Sequence, residues 1–154
     1  GFAKAWAMTG WRIGYLFGNL DVIKKSIALQ SQSTSNVCSF AQRGALAAIK
    51  GPMEPIQKMA TSYNARRSLL TESLNSIKGI SLTPQEGAFY AFPRLPPDIT
   101  DSLNFCKLAL ERVGLAIVPG IAFGENQCIR LSCAVSEATI LDGTSRLNQF
   151  MRGL

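Results

Sequence analysis

The amino-acid sequence predicts an α/β protein made of two parts, and three observations carry this. Apolar residues recur at helical spacing over several long segments, and short apolar or aromatic runs bounded by glycine or proline read as strands. Helices dominate the first third, whereas strands and helices alternate after it. The division falls near Pro55, which gives an incomplete lobe over residues 1–54 and an α/β lobe over residues 55–154. No internal repeat is present.

Residues 12–18, RIGYLFG, form an apolar and aromatic run that reads as a buried strand. Asp21 is expected to cap a helix reaching about Gln32, with Val22, Ile23 and Ile27 on one face and Gln30 extending it. The hydroxyls and amides of residues 30–36, QSQSTSN, compete with a helix ladder, so the helix is expected to end in a loop there. Ser39 to Lys50 reads as an alanine-rich helix closed by Gly51-Pro52. The longest periodic segment, Pro55 to Lys78, places Ile56, Met59, Tyr63, Leu70, Leu74 and Ile77 on one stripe and should be a single amphipathic helix stopped by Gly79.

Ile80 to Thr83 and the strand Ala88 to Phe92, separated by Pro84-Gln85-Glu86-Gly87, indicate a hairpin or neighbouring pair. Pro93, Pro96 and Pro97 then force an extended linker. Ser102 to Val113 reads as a helix with Leu103, Phe105, Cys106, Leu110 and Val113 inward, and Leu115 to Val118 as a strand. A loop from Pro119 to Asn126 leads to a last strand, Cys128 to Ala134. Ser136 should cap a final helix carrying Ile140, Leu147, Phe150 and Met151.

The chain has 154 residues, 47% of them hydrophobic and 17% charged, enough apolar material for a globular core. It begins Gly1-Phe2-Ala3-Lys4 without an initiator Met, and its chemically richest stretch stands at the start, so a longer protein with more chain before Gly1 is expected. A net charge of +6 raises nucleic acid or an anionic membrane as partner. Neither is expected, because Lys24-Lys25 and Arg66-Arg67 are only pairs and the other basic residues are scattered among Asp and Glu. No apolar run approaches the roughly 20 residues of a membrane span and no signal-peptide pattern is present, so the cytoplasm or an organelle stroma such as that of a plastid is the expected setting.

Histidine is absent, which excludes a Ser-His or Cys-His nucleophile within this chain. Cys38, Cys106, Cys128 and Cys133 show no C-x-x-C pairing, so no metal site is expected. Each reads as a small buried hydrophobe in a reducing compartment.

Chemistry concentrates in residues 1–18, GFAKAWAMTGWRIGYLFG, where Lys4 stands eight residues before Arg12. Surrounded by Phe2, Ala3, Ala5, Trp6 and Met8, Lys4 is expected to be desolvated, which lowers an amine's pKa and supplies a neutral nucleophile. Arg12 offers a planar, permanently charged fork suited to a phosphate, and Gly10 lets backbone approach such an anion. On spacing alone, an ordinary buried turn with a snorkelling lysine and a salt-bridged arginine is the favoured account, because a lysine eight residues before an arginine is common.

The wording of the segment is more specific. Lys4-Ala5-Trp6-Ala7-Met8-Thr9-Gly10-Trp11-Arg12-Ile13-Gly14-Tyr15 closely resembles the pyridoxal-phosphate attachment signature of class I aminotransferases, of the aspartate aminotransferase type of bacteria and plastids. The resemblance implies that Lys4 holds the cofactor through a Schiff base and that Arg12 binds its phosphate. Ala3 stands where the family commonly has serine, a minor departure. The likeness continues through Gln85-Glu86-Gly87-Ala88-Phe89-Tyr90, through Val118-Pro119-Gly120 with Phe123-Gly124, and through Ile129-Arg130-Leu131-Ser132. It implies the C-terminal part of a fold type I pyridoxal-phosphate transferase, the end of the large domain followed by the small α/β domain.

Arg130 calls for an explanation on its own. An unpaired guanidinium in the apolar strand CIRLSCA is costly to bury, so it needs an anion. A salt bridge to Glu125 or Glu137 and a bidentate clamp on a ligand carboxylate stand even on the residues alone. The resemblance implies the clamp, on the substrate α-carboxylate. Tyr15 and Trp11 read as core, and Phe89 as sheet packing before substrate contact. The cluster Ser33-Thr34-Ser35-Asn36 resembles a loop near the neighbouring subunit's active site in the family's dimers, and reads equally well as a polar helix terminus.

The implied activity is amino transfer between an L-amino acid, aspartate by default, and a 2-oxo acid, on pyridoxal 5′-phosphate in a homodimer. Lys4 would carry the cofactor and then move a proton at the substrate α-carbon. The family's acidic partner of the pyridine nitrogen, its tyrosine and asparagine on the ring oxygen, and its glycine-containing phosphate loop all precede the lysine, so this stretch alone is expected to transaminate poorly or not at all. Rival readings are a β-lyase or aminocyclopropane-carboxylate synthase on the same fold, a cofactor-sensing aminotransferase-like domain of a transcriptional regulator, and an inactive structural fragment.

Overall fold

A computed structural model describes residues 1–154. The elements are α1 (Leu20–Ser33), α2 (Ser39–Lys50), α3 (Glu54–Asn75), β1 (Tyr90–Ala91), α4 (Ser102–Val113), β2 (Val118–Pro119), β3 (Ile129–Ser132) and α5 (Glu137–Arg152), with single 3-10 turns at Thr9–Trp11 and Gly120–Phe123. The chain forms two compact units, Gly1–Met59 and Ala60–Leu154, and the division between them falls inside α3. No helix is long and apolar enough to cross a membrane.

In the first unit, Phe2, Met8 and Ala45 are buried together, with Trp6, Ile13 and Ala48 packed against them. The expected strand at residues 12–18 does not form. A strand exists only through a ladder partner, and no segment of this chain pairs with those residues. Tyr15 and Phe17 are accordingly 61% and 82% exposed, which corrects the reading of Tyr15 as core. Trp11 is also exposed and lies over Gly44 of α2, where a Cβ would meet its ring carbons.

The cap of α1 is Asn19, whose side chain accepts from the Asp21 backbone N–H at 2.9 Å, and Asp21 sits in the first turn. The helix ends at Ser33, as expected, and the Ser31 and Ser33 hydroxyls in its last turn donate back to the Ala28 and Leu29 carbonyls at 2.8 and 3.0 Å. No residue of α1 is buried, so its apolar face is uncovered within this chain. Helix α2 has the expected bounds and buries Ala41 and Ala45.

In the second unit the strand order is β1-β3-β2, both pairs antiparallel. Tyr90 stands opposite Ser132 and Ala91 opposite Leu131, while Val118 stands opposite Arg130. Side chains alternate across a sheet, so Ala91, Ile129 and Leu131 share one face and Tyr90, Arg130 and Ser132 the other. The first face closes a core with Leu70, Leu74, Phe105, Ala109, Ile140, Leu147 and Phe150 from α3, α4 and α5. Phe105 and Phe150 meet edge to face at 5.1 Å.

Several expectations shift. The segment at residues 80–83 contributes one antiparallel bridge, Ser81 with Arg94, rather than a strand, and α3 stops at Asn75, ahead of Gly79 with its φ of +86°. The inward stripe of α4 is Ser102, Phe105, Cys106 and Ala109, spaced as one helical face. Leu103 and Leu110, 62% and 55% exposed, lie off that face. Asp101 caps α4 with bonds of 3.0 Å from the Leu103 and Asn104 N–H groups, and Ser136 caps α5 as expected.

Cys106, Cys128 and Cys133 are buried, whereas Cys38, at the exposed start of α2, departs from the expected pattern. Burial pushes the Cys106 thiol up to about 11 and raises those of Cys128 and Cys133. Iodoacetamide at pH 8 should therefore spare these three thiols in the native protein and label them once it is unfolded, as read by peptide mapping. Rapid native labelling of Cys106 would contradict the core described.

Candidate functional site

Lys4, Arg12 and Arg130 are the site residues expected from the sequence, and each is held by a different local device. In the segment around Lys4, Phe2 and Met8 turn inward onto α2, and the Trp6 indole N–H donates to the Ala48 carbonyl at 3.1 Å. Lys4 lies in the turn between these anchors and is exposed. The apolar neighbours therefore bury themselves against the helix instead of burying the lysine. The desolvated lysine expected from the sequence is corrected accordingly: these residues orient Lys4 without covering it.

The turn is tied internally. The Ala7 N–H donates to the Lys4 carbonyl at 3.1 Å and the Met8 N–H to the Phe2 carbonyl at 3.3 Å. Thr9 works from both ends: its hydroxyl donates to the Ala3 carbonyl at 2.8 Å, and its carbonyl accepts from Arg12 Nη1 at 3.0 Å. A run of hydrogen bonds thus links the residue before Lys4 to the Arg12 guanidinium. Ala7 and Arg12 both sit at positive φ, 52° and 53°, an uncommon conformation for non-glycine residues and one that the surrounding bonds must hold.

Arg12 is exposed and has no carboxylate in ion-pair range. With one of its five N–H donors used on Thr9, the rest of the fork remains available to an anion.

Arg130 projects from β3 on the face away from the core, beside a cleft of about 450 Å3 that Ser132, Thr139 and Asp142 also line. Neither proposed internal partner reaches it. Glu125 is bound by Arg94 at 3.0 Å and accepts the Gln127 N–H at 3.2 Å, and these bonds hold its carboxyl below the usual range. Glu137 opens α5 and is in no ion pair. The Arg130 guanidinium carbon lies instead 4.5 Å from the centre of the Tyr90 ring and 4.6 Å from that of Phe123.

The loop carrying Phe123 is pinned at two points. The Gly120 N–H donates to the Cys128 carbonyl at 2.8 Å while its carbonyl accepts from Glu125 at 3.1 Å, and a Cβ at Gly120 would run into the carbonyl oxygens of Glu125 and Cys128. Ser102, fully buried, donates its hydroxyl to Asn126 Oδ1 at 2.9 Å and accepts the Ile121 N–H at 3.1 Å. Sequence reasoning missed Tyr90, Ser102, Phe123 and Asn126 as supports of this region. Tyr90 and Phe123 stand in motifs that carry the family resemblance, but their contact with Arg130, 40 and 7 positions away, and the bonds of Ser102 to Asn126 and Ile121, 24 and 19 positions away, follow from tertiary packing that spacing does not reveal.

The sequence profile of the family described as aminotransferase class I and II matches residues 1–147. The chain is 38% identical, over all of its length, to an aspartate/prephenate aminotransferase of Cereibacter sphaeroides, of which it spans 41%. It is 40% identical over 98% of its length to an aspartate aminotransferase of Bacillus subtilis, of which it spans 40%. Among solved structures, an aspartate aminotransferase from Rhizobium meliloti superposes with a TM-score of 0.92 at 35% identity, covering 99% of this chain and 40% of that one. The chain thus spans about two fifths of the length of the curated relatives it matches.

Gly120→Ala should be destabilising by about 1–3 kcal/mol, because the backbone on both sides of the new methyl must move. Urea unfolding measures this, and an unchanged midpoint would show that the loop is free to shift.

Proposed function

Because the chain belongs to the class I and II aminotransferases and has the fold type I architecture of its solved neighbours, we propose that the whole protein moves an amino group between an L-amino acid and a 2-oxo acid, using pyridoxal 5′-phosphate attached to Lys4. Aspartate is the amino acid favoured, since the relatives are aspartate and aspartate/prephenate aminotransferases. The observation that carries the reading is local: the Arg12 guanidinium is tied through Thr9 to the turn that presents Lys4, and its remaining donors are open to an anion.

The residues fit the cofactor. Lys4 offers a primary amine on an exposed turn, and Arg12 offers in-plane donors to a phosphate. When bound, the cofactor supplies an electron sink for the charge left on the substrate α-carbon as its proton departs. Released when the substrate's amino group takes its place on the cofactor, the Lys4 amine would take that proton as a base and return one as an acid. Arg12 holds the phosphate by charge-assisted bonds, and Arg130 takes the amino acid's α-carboxylate through two parallel N–H groups. Fixing both anions restricts the orientation of the bond to be broken.

The proposal includes a homodimer in the cytoplasm. Large apolar side chains left exposed in the first unit, Phe17, Leu29 and Phe40 among them, need cover from the rest of the protein or a second copy. Four unpaired cysteines suit a reducing compartment.

Borohydride treatment of the full-length protein loaded with pyridoxal phosphate should fix the cofactor on Lys4, as read by peptide mapping, and Lys4→Ala should abolish amino transfer. A label on a different lysine would sink the assignment. Arg130→Ala should lower kcat/KM for aspartate by an amount corresponding to about 2–5 kcal/mol, chiefly through KM. Arg12→Ala should raise the Kd for pyridoxal phosphate measured by equilibrium dialysis.

A further inference from the structure

We propose that Tyr90 and Phe123 are positioning residues for Arg130, holding its guanidinium by its faces so that its edge is presented to a substrate carboxylate. The inference rests on the reading of Arg130 as the carboxylate clamp and adds two residues to it.

The geometry begins with the sheet. β1 and β2 flank β3 on opposite sides. Tyr90 stands on β1 opposite Ser132, one diagonal step from Arg130 and on the same face. Phe123 closes the 3-10 turn that follows β2, the strand whose Val118 is paired with Arg130. Rings from the two flanking elements thus reach the same cation, at 4.5 and 4.6 Å from its central carbon.

The two kinds of partner open to an arginine differ in what they use up. A bidentate carboxylate takes two of the five in-plane N–H donors along one edge and offsets the charge, which weakens the attraction left for a ligand. An aromatic face attracts the cation through its quadrupole and leaves the in-plane donors unused. Arg130 has the second kind of partner only, and no protein carboxylate contacts it. The turn sorts the two kinds within three residues, since Phe123 goes to Arg130 while Glu125 goes to Arg94.

Phe123 is itself supported. Phe92 meets its ring edge-on at 5.9 Å and 90°, and the Gly120 and Ser102 bonds fix the turn it stands on. Tyr90 is backed by Phe89 at 4.3 Å. A phenyl ring left half-exposed is poorly explained by core packing, and its contact with a cation explains why it is kept there.

The test uses the full-length enzyme loaded with its cofactor. Phe123→Leu and Tyr90→Leu keep apolar bulk and remove the π face. Each should raise KM for both the amino acid and the 2-oxo acid by about 3- to 30-fold, the factor expected for a partly desolvated cation–π contact, with kcat changed less than the KM. Phe123→Tyr and Tyr90→Phe restore a face and should return KM close to the unsubstituted value, and urea midpoints for all four variants show whether each is folded. Unchanged KM in both folded Leu variants, a loss confined to kcat, or failure of the aromatic exchanges to restore KM would overturn the proposal. Arg130→Lys separates this from the reading beneath it. A KM that rises for Arg130→Lys but not for the Leu variants removes the aromatic contribution alone, and a KM unmoved by Arg130→Lys removes the clamp and this proposal with it.

Discussion

The period of two along β3 is the constraint on which the second unit depends. Ile129 and Leu131 must face the helices, because Ile129 is fully buried among them and Leu131 packs against the same core. Arg130 and Ser132 are then fixed on the opposite face, with no freedom to exchange. A one-residue slip would drive a guanidinium into contact with Leu147 and Phe150, at a desolvation cost far above any single contact in the core. The hydrophobic core and the position of Arg130 are therefore one decision of register. Antiparallel partners on both sides of β3 enforce it, with Ala91 opposite Leu131 and Pro119 opposite Ile129.

The first unit rests on a weaker foundation. Its buried cluster is Phe2, Met8 and Ala45, and α1 buries nothing. Order around Lys4 comes instead from hydrogen bonds, above all the two made by Thr9, which bind a turn containing two non-glycine residues at positive φ. Residues 12–17 carry strand-forming composition without a ladder, and Phe17 is among the most exposed side chains of the chain. The chain spans about two fifths of the length of its relatives, and within that span Tyr15 and Phe17 stay exposed.

What the sequence made legible divides along the same line, between local and distant causes. Helices α2 and α4 appear with the expected bounds because alanine content, a following glycine or an Asp-Ser start act within a few residues. The cap at Ser136 is likewise readable from its immediate surroundings. Asn19 escaped notice because Asp21 is an equally good capping residue by type, and only the bond from the Asp21 N–H to Asn19 separates them. Leu103 and Leu110 of α4 were placed inward by hydropathy, whereas the core selects Ser102, Phe105, Cys106 and Ala109, a face that includes a serine because Asn126 and Ile121 satisfy its hydroxyl. Lys4 shows the limit most clearly: apolar neighbours in sequence do not bury a residue when their own side chains turn the other way onto a helix.

Arg12 and Arg130 are held in two different ways, neither of them by a carboxylate. Arg12 spends one donor on a backbone carbonyl of its own turn, which fixes the group at one corner and leaves four N–H groups directed elsewhere. That arrangement suits an anion with several oxygens in different directions, as a phosphate has. Arg130 spends none of its donors and is held by ring faces, so its plane is defined while its edge is intact. That suits a flat, two-oxygen anion met edge to edge, as a carboxylate is. The way each guanidinium is held thus agrees with the anion proposed for it, phosphate for Arg12 and carboxylate for Arg130.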